Sequence, residues 1–164
     1  MIVLDGCSAA GGAGHGYVLA GHTAWGTDIA PQPNYLKCGA AGFYQVDILE
    51  VLARWMDRIE VAHVSPPCQF YSAMSRCRPD LAAKYPEMIT PVRELLDAWG
   101  GLYVIENVAG AGPWMKDPML LCAQQFRPGV LLYRHRLFEA GRGFTLAAPP
   151  APAEGTPGRR RECG

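Results

Sequence analysis

Short apolar runs alternate along the chain with stretches whose apolar residues recur at helical spacing, and most of the runs end at an acidic residue or a turn. Met1 to Leu4 runs into a glycine-rich turn from Asp5 to Gly14, and a helix is expected from about Gly12 to Ala20. Thr23 to Thr27 reads as a second strand ending at Asp28, and Phe43 to Val46 as a third ending at Asp47. Ile48 to Met56 fits an amphipathic helix with Ile48, Val51, Leu52 and Trp55 on one face. The run Ile59 to Val64 stops at Ser65-Pro66-Pro67, because proline lacks the N–H that continues a ladder. Met88 to Trp99 is a further helix closed by Gly100-Gly101, and Leu102 to Ile105 a strand ending at Glu106. Pro118 to Phe126 reads as a short helical stretch. Val130 to Ala140 reads as a strand whose alternation sets Arg134 and Arg136 on one face. Short strands alternating with helices predict an α/β domain built on a mostly parallel sheet.

In open α/β sheets ligands bind at the carboxyl ends of the strands, and the chemistry-bearing residues collect there. Cys68 follows the Pro-Pro turn and is either a nucleophile held at a strand end or a structural thiol. The turn after the first strand holds a cofactor or is merely tight. Its glycines, Gly6, Gly11, Gly12 and Gly14, do not match the G-x-G-x-x-G spacing, and no Walker-type Gly-Lys-Ser/Thr follows. Asp28 stands 23 positions after Asp5, where an acid accepts hydrogen bonds from ribose hydroxyls, or it is a solvated or capping residue. Asp47 is either the N-cap of the next helix or an acceptor for an adenine amino group. Glu106 can face Cys68 across adjacent strand ends or can serve as an ion-pair or capping residue. The polar stretch Phe70 to Pro86 carries Arg76, Arg78 and Lys84, which suit a phosphate backbone or a solvated loop.

Composition narrows the setting. At 164 residues, 49% hydrophobic and 18% charged, the chain has enough material for one packed core. Fifteen basic and fifteen acidic residues balance, so a nucleic-acid site has to be a local patch. The six cysteines lack metal-type pairing and read as reduced thiols of a soluble cytoplasmic protein, with no metal and no membrane span expected. From Ala147 the sequence turns to Ala, Pro and Gly and ends in Arg159-Arg160-Arg161-Glu162-Cys163-Gly164, read as a disordered tail within 141–164.

Four motifs in order resemble those of the DNA cytosine-5 methyltransferases. Asp5-Gly6-Cys7-Ser8-Ala9-Ala10-Gly11-Gly12 looks like their first cofactor motif, and Pro67-Cys68-Gln69 like the catalytic Pro-Cys-Gln. Glu106-Asn107-Val108, 38 positions beyond Cys68, looks like Glu-Asn-Val, and Arg134-His135-Arg136 like the end of Gln-x-Arg-x-Arg. The resemblance covers roughly residues 1–140 and implies a Rossmann-like, S-adenosylmethionine-dependent methyltransferase fold. It implies catalytic roles for Cys68, Glu106, Arg134 and Arg136. Cofactor contacts are implied at Asp5, Cys7, Ala9, Gly11, Gly12, Asp28, Ile29, Asp47, Ile48 and Pro67, and substrate contacts at Gln69, Ser72, Asn107 and Val108.

The implied reaction is covalent. The Cys68 thiolate adds to C6 of cytosine, a protonated Glu106 with its pKa raised by burial donates to N3, and the arginines hold O2 or a phosphate. DNA is the implied partner, with RNA or a free pyrimidine nucleotide as another substrate and a non-enzymatic binding module as another reading. The chain departs from the pattern at Cys7, where an aromatic is usual, at Ala9 in place of a glycine, and at Leu132 in place of the glutamine. Only 24 residues follow Ala140, too few for the family's target-recognition domain and returning helix. Weak or short sequence specificity is therefore expected, together with self-association or a separate recognition subunit.

Overall fold

A computed structural model gives the structure of the protein and describes residues 1–72, 84–126, 132 and 134–149. Among the described residues seven strands form one sheet: β1 (Ile2–Gly6), β2 (Thr23–Asp28), β3 (Gly42–Gln45), β4 (Val61–Val64), β5 (Leu102–Asn107), β6 (Met119–Cys122) and β7 (His135–Ala140). Their order is β3-β2-β1-β4-β5-β7-β6; the first five run parallel, and β7 lies antiparallel to both β5 and β6. Among the described residues the helices are α1 (Gly12–Leu19), α2 (Ile48–Arg54), α3 (Ile89–Trp99) and the single turn α4 (Ala123–Phe126), with 3-10 turns at Tyr35–Cys38 and Ala109–Trp114. The arrangement is Rossmann-like, and β1 to β5 fall within about two residues of the runs read from the sequence.

Alternation along β1 assigns the two faces of the sheet. Leu4 and Gly6 face α2 and α3, where Ile48, Val51, Leu52, Ile89, Val92 and Leu96 close the main core. Asp5 faces the other way, toward α1 and Tyr35. A salt bridge buried under α3 and β7 joins Arg93 to Glu139 through Nε at 2.5 Å and a second nitrogen at 2.7 Å. The same arginine donates to the Trp114 carbonyl, and Lys116 N donates to Glu139, so α3, β7 and the 3-10 turn after β5 are tied at one point.

Three expectations change. The stretch 118–126 is a strand followed by one helical turn, because Met119-Leu120-Leu121-Cys122 is too short for its periodicity to decide and pairs with β7 instead. Trp55 lies beyond the end of α2 and is 48% exposed, while Met56 takes the buried position. Arg134 precedes β7 and does not share a strand face with Arg136. Arg76, Arg78 and residues 150–164 lie outside the described residues. Among the described residues no helix is long and apolar enough to cross a membrane.

Candidate active site

The glycine-rich turn leaves β1 through a series of left-handed residues: Cys7 at φ 55°, Ala9 at 44° and Gly11 at 87°. Ala9 keeps the backbone that a glycine there would adopt, at the cost of carrying a Cβ. Ser8 N donates to the Thr27 carbonyl and Gly11 N to the Ser8 carbonyl, which folds the loop over the end of β2. Buried Asp5 clamps it from below, its Oδ2 accepting from Gly14 N at 2.8 Å and from the Tyr35 hydroxyl at 3.1 Å. A Cβ on Gly14 would lie 2.6 Å from the Tyr35 oxygen and 2.8 Å from Asp5 Oδ2, so only glycine permits this approach. Burial raises the Asp5 pKa to about 6 against the pull of those two hydrogen bonds.

Asp28 closes the rim. Its Oδ2 accepts from Ala9 N at 3.0 Å and its Oδ1 from Ala30 N at 2.9 Å. Each carboxylate oxygen can accept a second hydrogen bond, so Asp28 still has capacity for hydroxyl donors. Asp47 is the N-cap of α2, accepting from Leu49 N at 2.7 Å, which realises the capping alternative. Ile29, next to Asp28 in the chain, is 67% exposed, whereas Ile48 is buried in the core against Gly6. Burial and the nearby charges of Asp28, Asp47 and Asp5 push the Cys7 thiol up to about 12. Cys7 stays a neutral thiol in an acidic surrounding, and Gly12 opens α1 with open space where a side chain would be.

A second set of groups stands at the carboxyl ends of β4 and β5 and at the amino end of antiparallel β7. Cys68 is exposed just beyond β4, with Gln69 exposed next to it and Pro67 half-buried before it. Its carbonyl accepts from Tyr71 N and Ser72 N, which turns the chain sharply after the thiol. Buried Tyr71 then anchors that turn to α3: its hydroxyl donates to Glu87 at 2.6 Å and accepts from Met88 N and Ile89 N. On β5, fully buried Asn107 donates from Nδ2 to the Pro66 carbonyl at 2.9 Å and accepts from Val108 N. This bond ties the loop that carries Cys68 to the strand that carries Glu106. Glu106 forms a half-buried ion pair with Arg136 of β7, Nε to Oε1 at 2.7 Å. It is therefore held by a guanidinium, not isolated in an apolar pocket as the proton-donor role expects. Arg134 is exposed outside the strand.

No protein-family model matches the chain, and no curated protein matches it. Among solved structures it is similar to a conserved hypothetical protein of Streptococcus pyogenes, with 12% identity over 87% of this chain and 86% of that one, at a TM-score of 0.51. An rRNA methylase from Streptococcus thermophilus shows 13% identity over 84% of each chain at a TM-score of 0.47. The Burkholderia thailandensis 1,6-didemethyltoxoflavin-N1-methyltransferase, solved with S-adenosylhomocysteine, shows 14% identity over 85% of this chain and 70% of that one at 0.48. The fold is Rossmann-like. The strand order, with antiparallel β7 between β5 and β6, carries that statement together with the likeness at 0.51. At these identities the likeness speaks for the fold and not for a substrate.

Sequence reasoning passed over three groups. Ser8 Oγ is buried with no hydrogen-bond partner among the described residues, on the very loop expected to face a cofactor. Tyr35 fixes the first loop from 30 positions away, Tyr71 fixes the second by bonding across to residues 87–89, and no local pattern announces either. His63, also buried, is pushed down to about pKa 4 by burial and hydrogen-bonds the Tyr17 hydroxyl at 2.9 Å, so it is a neutral packing residue.

Proposed function

We propose that the chain is an S-adenosylmethionine-dependent methyltransferase acting on C5 of cytosine in DNA, with Cys68 as the covalent nucleophile. The single observation that carries this reading is the joining of three motifs at one sheet edge: Asn107 ties the Cys68 loop to β5, and Arg136 pairs with Glu106 on that same strand.

The residues fit the cofactor. Its sulfonium and ammonium are cationic, and Asp5, Asp28 and Asp47 make the surroundings of Cys7 acidic. The left-handed loop and the unpartnered Ser8 hydroxyl offer close backbone approach and one further hydrogen-bonding group. Asp28 would take the ribose hydroxyls. Bound S-adenosylmethionine supplies an electrophilic methyl group. Cys7, kept as a thiol, does not compete for it.

The chain's own residues prepare the acceptor. Cytosine C5 is a poor nucleophile until the Cys68 thiolate forms a bond to C6 and pushes electron density toward C5 and N3. The Arg136–Glu106 pair stands ready at that edge: the guanidinium neutralises charge near O2, while N3 takes a proton from water as charge builds on it, donates that N–H to the Glu106 carboxylate, and returns the proton to water when the C6–Sγ bond breaks. After methylation the C5 proton passes to water, and the C6–Sγ bond breaks to return the Cys68 thiolate. A base paired within a duplex cannot reach this edge and has to be flipped out, at about a few kcal/mol.

Labelled S-adenosylmethionine and a mixed DNA pool test the reading. Label should appear on cytosine C5 and vanish with Cys68→Ala, whereas label surviving that substitution would falsify the covalent route. Competing RNA and dCMP in the same assay separate DNA from the other pyrimidine substrates.

A further inference from the structure

The Cys68 thiol stands on residues 67–70, and that short stretch is held at both of its ends. Upstream, Asn107 Nδ2 reaches the Pro66 carbonyl from β5. Downstream, Tyr71 N and Ser72 N donate to the Cys68 carbonyl at 3.1 and 3.0 Å. The upstream tie fixes where the stretch leaves the sheet, and the downstream pair fixes the turn that presents the thiol. Whatever holds Tyr71 therefore holds the Cys68 backbone.

Tyr71 is 2% exposed, and its ring meets Phe70 and Trp114 edge-on, with centroids 5.1 and 5.4 Å away. A phenolic hydroxyl has one proton to donate and two lone pairs to accept with. One short segment engages all three: the hydroxyl donates to Glu87 Oε1 at 2.6 Å and accepts from Met88 N and Ile89 N, each at 2.9 Å. Burial works against the Glu87 carboxylate, yet hydrogen bonds from Tyr71, Thr90 and Ile89 hold its pKa below the usual value, so it stays an acceptor at neutral pH. Met88 gives α3 no side-chain cap, and Glu87 takes that part by accepting from Ile89 N and Thr90 N. The Tyr71 hydroxyl is thus built into the start of α3.

A buried tyrosine needs one partner for its hydroxyl, and this one has three, all on the same helix start. α3 is also tied to β7 through Arg93 and Glu139, and β7 carries Arg136, the partner of Glu106. Both the Cys68 turn and the strand of the ion pair therefore lead back to α3. We propose that Tyr71 is a positioning residue for Cys68: its hydroxyl fixes the turn after the thiol to α3 and so sets the thiol's place relative to Glu106 and Arg136. The inference rests on the reading of Cys68 as nucleophile. A misplacement of about 1 Å costs on the order of a hundredfold in rate, so the loss of one hydroxyl should be measurable.

Tyr71→Phe keeps the ring and removes only the hydroxyl, while Val92→Ala, at a buried core position of α3, controls for lost stability. In Tyr71→Phe the amides of residues 71 and 72 should exchange at least about tenfold faster by NMR. Its kcat should fall at least about tenfold, with KM for S-adenosylmethionine within about twofold. Val92→Ala should leave both readouts near wild type. Glu87→Gln keeps an oxygen for the hydroxyl and should hold kcat within about threefold, whereas Glu87→Ala should lose it as Tyr71→Phe does. Unchanged amides and kcat in Tyr71→Phe overturn the proposal, and so does an equal loss in Val92→Ala, which would leave Tyr71 a packing residue only. If Tyr71→Phe loses the native spectrum, Glu87→Ala decides by the same two readouts, since it breaks the clamp from a half-buried position. A wild-type chain that methylates no cytosine sinks the covalent reading and not the clamp. In that case the amides of 71 and 72 decide alone, and equal exchange in wild type and Tyr71→Phe overturns the positioning role.

Discussion

At the carboxyl end of β1 the buried polar groups shape the chain's own backbone, whereas at the ends of β4 and β5 the polar groups face outward with their reactive atoms accessible. Asp5, Gly14 and Tyr35 lock the first loop from inside, and what it offers a ligand is mainly curvature, N–H groups and an acidic surrounding. At the second site Cys68 is exposed, Glu106 and Arg136 are half-buried, and the supporting bond from Asn107 lies beneath them. The first region is a mould and the second a set of accessible polar groups on a hydrogen-bonded base. The two should fail differently when altered.

Cys68→Ala is the sharpest way to separate them. Turnover should fall by more than about a thousandfold, while S-adenosylhomocysteine binding by calorimetry stays within about twofold, because the mould does not use the thiol. Equal loss of both would merge the two regions into one. Beneath the second site, Glu139→Gln leaves the Arg93 guanidinium buried without its carboxylate, and urea unfolding should show a loss of about 3–5 kcal/mol. A loss below about 1 kcal/mol would mean the pair is not part of the base.

The mould has its own signature in pH. In the fold the Asp5 pKa rises from the ordinary 3.8 to about 6, so the folded chain holds a proton that the unfolded chain has already released. Between about pH 6 and pH 4 this group adds stability as pH falls and removes it as pH rises, by up to about 3 kcal/mol. Asp5→Asn keeps an acceptor oxygen for Gly14 and Tyr35 and should flatten that part of the profile in paired thermal melts. Parallel profiles for the two proteins would rule the assignment out. The smallest effect is expected at Asn107→Ala, about 1–3 kcal/mol from the lost bond to Pro66. Its telling readout is kinetic: the rate of Cys68 alkylation by iodoacetamide should change, since the loop carrying the thiol loses its tie to β5.

Much of this was legible in local pattern. The parallel strands end within about two residues of the proline, aspartate or glutamate that marked them, because each of those residues acts on its own backbone within one or two positions. Asp47 is such a case, a cap recognisable from the helix that follows it. Met119 to Cys122 was not legible, since four apolar residues suit a helix or a strand equally and only pairing with β7 decides between them. Trp55 went the same way: helical spacing placed it inward, but α2 stops one residue earlier and Met56 fills the core.

The sequence by itself set which residues are candidates for chemistry and the order in which they come, because each of the four motifs is a contiguous stretch that is read without a partner. Tertiary structure alone decided how those residues are held. Asp5 meets Tyr35 across 30 positions, Pro66 meets Asn107 across 41 and Arg93 meets Glu139 across 46. Hydrogen bonds and ion pairs of that reach leave no periodicity in the chain, since they form only after the sheet has brought separate strand ends to one edge.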